Sequence, residues 1–283
     1  MTVRMQKLNA IKYQHGFTFI ELIIVIVLLS VLAMGSVQFI SFSAQGYVDT
    51  ARRSSLAATA SIVNEKLSRT LRQALPGSVR VNTAQSCVEF IPVLSASRYV
   101  QAPIVGSPVP QTEVHAVPID GALVDSGYIS IYPVVSNIDD LFDNTVDPGY
   151  VSTEIAAITG TQNGASVFEF NGGATFEFVQ GSPQRRMFIT DQPQAFCQQG
   201  SILYFYRNYG FIGDISNLGT SLPSTLPNRI LIADQLQTSS VRFSYTPSSL
   251  RRNALVSYEL VLEEAGNTET LTINQEVQIR NVP

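Results

Sequence analysis

The feature that most constrains this chain is an apolar block beside a carboxylate. From Leu22 to Leu29 every residue is apolar; Ser30 interrupts, and Val31–Gly35 continues the run. Phe17 to Ile40 makes 24 residues, about 36 Å as a helix, enough to cross the hydrocarbon core of a bilayer. Glu21 stands at the mouth of this run. A carboxylate there is costly to bury, by about 2–3 kcal/mol near a bilayer centre and less at the edge, so a chain needing only an anchor does better with leucine. The first-turn position offers one bland account of Glu21, because a helix dipole favours a negative charge there. Ahead of the run lie Arg4, Lys7 and Lys12 and no acidic residue. Basic residues stay cytoplasmic, so residues 1–16 are expected inside and the C-terminal part outside the membrane.

Helical patterning outlasts the apolar block. Leu56, Ala60, Val63, Leu67, Leu71 and Leu75 step mostly by four along one face, with Lys66, Arg69, Arg72 and Gln73 off it. The first proline is Pro76, followed by Gly77, so one helix is predicted over 17–75, about 90 Å long, with Gly35-Ser36 and Gly46 as its soft points. Beyond Pro76 the period changes to two. Cys87–Ile91, Tyr128–Tyr132, Val167–Phe170, Ile202–Tyr206, Val241–Tyr245, Leu255–Leu262 and Leu271–Ile279 read as strands. Asp147-Pro148-Gly149, Asn171-Gly172-Gly173 and Thr246-Pro247 read as breaks, and the Pro-rich stretch between Val100 and Pro118 as loop. The expected class is therefore α+β: a long N-terminal helix, 17–75, transmembrane at about 17–40, on a β-rich globular head over 76–283.

Charge and motifs exclude several chemistries. Without the first sixteen residues the chain holds 15 basic and 22 acidic residues, a net of −7, which gives no electrostatic case for nucleic acid. Nucleophile-elbow, zinc-protease and phosphate-loop motifs are absent, and His115 is the one histidine after residue 16. No enzyme activity and no cofactor are expected. Asp139, Asp140, Asp143 and Asp147 offer oxygen atoms suited to Ca²⁺, with Asp139, Asp143 and Asp147 as weak ligand candidates. Their order is not that of an EF-hand loop, and solvated loop carboxylates are the simpler reading. Arg185-Arg186 and Arg251-Arg252 read as solvated turns or subunit contacts. Tyr204, Tyr206, Tyr209 and Phe211 read as strand core rather than an adhesive surface.

The segment Gly16-Phe17-Thr18-Phe19-Ile20-Glu21, between the basic leader and the apolar run, resembles the type IV prepilin signature. The resemblance implies cleavage between Gly16 and Phe17 by a prepilin peptidase, N-methylation of Phe17, and retention of the span in the mature chain. A free ammonium on Phe17 lies one turn from Glu21, and in a bundle of such helices it can pair with a neighbour's carboxylate, answering two otherwise stranded charges. Val48-Asp49-Thr50, the stretch Leu67–Val81, Leu203-Tyr204-Phe205-Tyr206-Arg207 and the end Val277–Pro283 are similar to MshO-type minor pilins of MSHA pilus biogenesis. J-type pseudopilins of type II secretion and W-type minor pilins share the plan. Many major pilins carry a proline within the membrane helix, and this chain does not. The implied partners are the prepilin peptidase, other minor and major pilins and the inner-membrane assembly platform. The implied location is a single pass through the bacterial inner membrane with a periplasmic head, then the filament. An exported chain with two lone cysteines, Cys87 and Cys197, is expected to join them. The alternatives are a secretion pseudopilin, or a soluble binding or catalytic domain released at the small-residue site Ala33-Met34-Gly35 by ordinary signal cleavage.

Overall fold

The computed structural model describes residues 16–119, 126–162, 164–249, 252–263 and 269–280. The leader residues 1–15, Arg251 and the last three residues lie outside them. The chain divides into two compact units, Met1–Ser55 and Leu56–Pro283.

Helix α1 spans Phe19–Leu71, continuous through Gly35 and Gly46. In the first unit its apolar side chains are bare: those from Leu22 to Ile40 are all exposed, Val31, Leu32 and Met34 at 64%, 65% and 72%. Hydroxyls within the run are satisfied by the helix itself. Ser30 Oγ donates to Ile26 O (2.9 Å) and Val27 O (2.8 Å), and Ser36 Oγ to Leu32 O (2.8 Å). These residues therefore present no unanswered donor to an apolar surrounding.

In the second unit the stripe is covered. Leu56, Ala60, Val63, Leu67 and Leu71 are buried, while Lys66, Arg69 and Arg72 stay exposed, Arg69 pairing with Glu65 at 2.7 Å. The helix ends four residues before the predicted Leu75. Gln73 N–H and Ala74 N–H reach back only three residues, to Thr70 O and Leu71 O. The chain then pairs with a strand end: Leu75 N–H donates to Ile91 O (2.7 Å) and Val93 N–H to Gln73 O (2.8 Å). Leu75 thereby leaves the stripe for a separate small core with Ile91, Leu141 and Phe142. Gly77 makes the turn at φ 81°, and a side chain there would meet Pro133 O at 3.1 Å.

Three antiparallel sheets complete this unit. The first has the order β1 (Arg80–Val81), β2 (Cys87–Phe90), β9 (Gln194–Gln199), β10 (Ile202–Tyr206), β11 (Arg229–Ala233). The second has the order β5 (Tyr128–Ser130), β8 (Arg186–Thr190), β3 (Val93–Gln101), β4 (Glu113–Ala116), β7 (Ala165–Phe170), β6 (Ile155–Gln162). The third is the meander β12 (Arg242–Thr246), β13 (Ala254–Glu263), β14 (Thr270–Ile279). The α1 stripe packs on Val88, Phe90, Phe196 and Leu203 of the first sheet and on Phe243, Val256, Tyr258 and Leu260 of the third. Each fully buried leucine or phenylalanine here contributes about 1.5–3 kcal/mol. Tyr258 Oη fixes the register of helix on sheet by donating to Asn64 Oδ1 (2.7 Å), with Ser68 Oγ at 3.0 Å. The six-stranded sheet has its own core of Val114, Phe168, Phe170, Phe176, Phe178 and Met187.

The stretch read as loop between Val100 and Pro118 contains β4, and Val100 and Gln101 end β3. β4 is a short Glu-Val-His-Ala alternation whose Val114 and Ala116 are buried, a signal that the surrounding prolines mask. At the break Asp147-Pro148-Gly149 the Asp147–Pro148 bond is cis. A Cβ on Gly149 would stand 2.5 Å from Val146 O and 2.9 Å from the Phe176 ring, so only glycine fits.

Candidate functional site

Gly16 and Phe17 precede the first helical residue, Phe19, in open space. No atom comes within 4 Å of where a Gly16 side chain would begin, and Phe17 is 83% exposed. Thr18 caps the helix. Its Oγ1 accepts the Glu21 N–H at 3.3 Å, and its carbonyl accepts the Leu22 N–H at 3.2 Å. Thr18-Phe19-Ile20-Glu21 is thus the sequence of a capping box, a signal legible in the chain and missed in the reading above. The Glu21 carboxylate itself is exposed and makes no hydrogen bond or ion pair among the described residues. One helix among the described residues is long and apolar enough to cross a membrane, and it begins two residues after Phe17.

The cysteines meet in the five-stranded sheet. Cys87 on β2 stands opposite Cys197 on β9, with Cα atoms 4.2 Å apart, and the two are joined by a disulfide that closes 110 residues of sequence. Both are buried, under Tyr204, Tyr206, Tyr209 and Leu218. Of the cluster read as strand core, Tyr206 is buried, while Tyr204, Tyr209 and Phe211 are half-buried and the last two lie beyond the end of β10. Burial pushes the Tyr206 hydroxyl up to about 12, with the Arg229 charge opposing. Phe211 packs edge-on to Tyr128 at 4.8 Å.

Sequence reading missed a buried ionic cluster beside the disulfide. Arg80 on β1 is 3% exposed and Glu89, across the pair on β2, is 0% exposed. Arg80 Nε donates to Glu89 Oε2 (2.7 Å), and Nη1 donates to Asp139 Oδ1 (2.5 Å) and Gly213 O (2.7 Å). Nη2 donates to Ile212 O, and the guanidinium lies 3.7 Å from the Phe142 ring centre. Tyr209 Oη donates to Glu89 Oε1 at 2.9 Å. Burial raises the Glu89 carboxyl above its usual value against the opposing pull of Arg80, and burial next to Glu89 raises the Tyr209 phenol well above 10. The signal was present in Cys-Val-Glu-Phe-Ile, where one carboxylate interrupts an otherwise apolar strand.

This cluster takes Asp139 away from its proposed partners. Asp143 Oδ1 accepts from Thr145 N–H (3.0 Å) and Thr145 Oγ1 (2.6 Å), and Asp147 Oδ1 accepts from Glu177 N–H (2.8 Å). The three carboxylates are spent on separate contacts, and no group of three or more His, Cys, Asp or Glu among the described residues is placed to hold a metal ion. His115 Nε2 lies 2.7 Å from Glu113 Oε1, two residues away on the same strand. Arg185 sits exposed at φ 54° and Arg186 opens β8, facing Arg98 across the ladder.

Residues 11–37 match the family model of the prokaryotic N-terminal methylation motif. No curated protein and no solved structure matches the chain. The matched stretch contains the Gly16–Phe17 step, the Thr18 cap, Glu21 and the exposed apolar first part of α1, ahead of the β-rich second unit. The matched segment supports a type IV prepilin-like reading of the N-terminus, and the long helix on a β-rich head has a type IV pilin-like α+β architecture.

Proposed function

We propose that this chain is a minor pilin that is cut between Gly16 and Phe17 by a prepilin peptidase, methylated on the Phe17 nitrogen, held in the inner membrane by residues 17–40 with its head in the periplasm, and then drawn into a filament. The observation that carries this reading is the methylation motif over residues 11–37, which contains the exposed, Thr18-capped helix start and a Glu21 carboxylate with no partner among the described residues. Glu21 gains a partner when the Phe17 ammonium of a neighbouring subunit arrives, and burial of both among apolar helices strengthens that attraction. The role is structural, in priming or topping a filament together with other minor pilins, the major pilin and the assembly platform. Placement with MSHA-class pili rests on the resemblance of Leu67–Val81 and the chain end to MshO-type minor pilins.

The test is the first residue of the protein extracted from membranes. N-methylphenylalanine at Phe17 is the expected result, and Gly16→Val is expected to leave an uncut precursor in the membrane. A mature chain beginning at Ser36 would assign the protein to ordinary export. Loss of assembled pili, rather than of secreted proteins, in a deletion strain separates the pilus from a secretion pseudopilus.

A further inference from the structure

The second unit has several free sheet edges, and all but one are blunted. β1 has two residues and β5 three. β11 has five, with an irregularity in its ladder at Leu203/Tyr204. β6 shifts register twice against β7, at Ile155/Ile158 and Ile158/Thr161. β12 is engaged on its far side, where Phe243 N–H donates to Gln85 O at 2.8 Å. Short strands, bulges and covering contacts are the ordinary means by which proteins keep edges from pairing with other chains.

β14 uses none of them. Its ten residues, Thr-Leu-Thr-Ile-Asn-Gln-Glu-Val-Gln-Ile, pair with β13 from Thr270↔Glu263 to Ile279↔Ala254 without a shift. The strand has no proline, no lysine and one charge, Glu276. Among the described residues its main chain makes no hydrogen bond beyond β13 except that Glu276 O accepts from the Gln275 side chain. Alternate residues of an edge strand turn N–H and C=O away from their neighbour, so about half of the ten present a bare row of donors and acceptors. The core side of the strand is also incomplete. Val277 and Ile279 are buried, whereas Leu271, Ile273 and Gln275 are only half-buried, Leu271 and Ile273 bordering the main core.

We propose that β14 is a strand-addition site, filled by an extended segment of a different subunit whose apolar residues alternate so as to cover Leu271 and Ile273. The chemistry fixes this occupant. A row of alternating N–H and C=O is matched by another backbone, and half-buried apolar groups at every second position are matched by a strand of the same period. Pairing of β14 with β14 of a second copy is disfavoured by symmetry. The two-fold axis of an antiparallel pair is normal to the sheet, so it would set the two Leu56–Leu71 helical segments, which lie on that sheet, in opposite directions. Subunits that enter one filament from one membrane share a direction, and on this point the inference rests on the proposed function.

The experiment is photocrosslinking of the full-length chain in its own bacterium, with the photoreactive residue placed at Thr272, at Glu276, or at Ser257 on the interior strand β13. Strand addition predicts adducts from Thr272 and Glu276 to one segment of another subunit, at sites about four residues apart, and at least tenfold weaker adducts from Ser257. Ile273→Lys, which buries a charge against any added strand, is expected to remove the adducts at least tenfold, as is the milder surface change Asn274→Lys, with the thermal midpoint retained in at least one of the two. Equal adducts from Ser257, adducts only to lipid or to β14 of a second copy, or no adducts at all would overturn the proposal. Sequencing the N-terminus of the same sample keeps the two readings apart: an uncut leader with register-spaced adducts removes the pilin assignment and leaves strand addition standing.

Discussion

Arg80→Leu is the substitution expected to damage the second unit most for its size. It removes four polar partners at once, Glu89, Asp139, Ile212 O and Gly213 O, together with the stacking on Phe142. What remains is worse than the loss itself, because Glu89 stays 0% exposed with Tyr209 as its hydrogen-bond donor. Breaking a buried pair from one side costs about 3–5 kcal/mol, mostly from the stranded charge. Glu89→Gln should cost less, since Arg80 keeps Asp139 and two carbonyls. Arg80→Leu combined with Glu89→Leu should recover about 1–3 kcal/mol of the summed single effects, as coupled neighbours do. The assay is urea unfolding of detergent-solubilised protein followed by tyrosine emission, which tryptophan does not obscure because the chain has none. Acidity adds a second readout. The Glu89 carboxyl is raised by burial, so the folded state holds its proton more tightly than the unfolded state does. Its contribution to stability is therefore greatest in acid and falls as pH rises from the ordinary carboxyl value through the raised one. Glu89→Gln should flatten that part of the profile. A loss below about 1 kcal/mol for Arg80→Leu, or additive single and double effects, would refute the buried-pair account.

The remaining predictions test the bridge, the anchor and the role. Reduction or Cys87→Ser should lower stability by up to about 4–5 kcal/mol, the chain-entropy value for a closed loop of 110 residues, and thiol titration of the unfolded chain without reductant should find none. Glu21→Val should leave export and processing intact while impairing incorporation into pili; assembly equal to wild type would remove the charge-pair mechanism. Purified pili should contain this chain far below the level of the major subunit, and its deletion should reduce surface pili sharply while the major pilin persists in the membrane. Near-equal abundance in sheared filaments would make it a main structural subunit instead.

The N-terminal half of this reading was legible because its physics is local. A helix of apolar residues needs no distant partner to be recognised, and Leu56, Ala60, Val63, Leu67 and Leu71 announce their buried face by spacing alone. The helix stop was displaced because Leu75 finds Ile91, a contact across a turn that spacing cannot weigh. The long meander strands were visible for the same reason as the helix: β13 and β14 bury every second residue or nearly so over ten residues each, with Gln275 as the one polar residue on the inward side of β14. β1, β3, β4, β6, β8, β9 and β11 escaped because they are either short or, like β3 and β6, carry small and polar residues that blur the alternation, and sheet neighbours supply what their own patterns lack.

Chemistry in the head followed a similar rule. Cys87 and Cys197 were paired by count and compartment, and the structure adds the reason they meet, a shared register on adjacent strands. Asp139 looked like part of an acidic loop because its partner, Arg80, lies 59 residues earlier in the chain. Asp139 is one wall of a buried clamp in which Arg80 also holds the Ile212 and Gly213 carbonyls. The Arg80–Glu89 pair joins β1 to β2 and the disulfide joins β2 to β9, so together they tie three neighbouring strands of the sheet on which the Leu56–Leu71 segment packs.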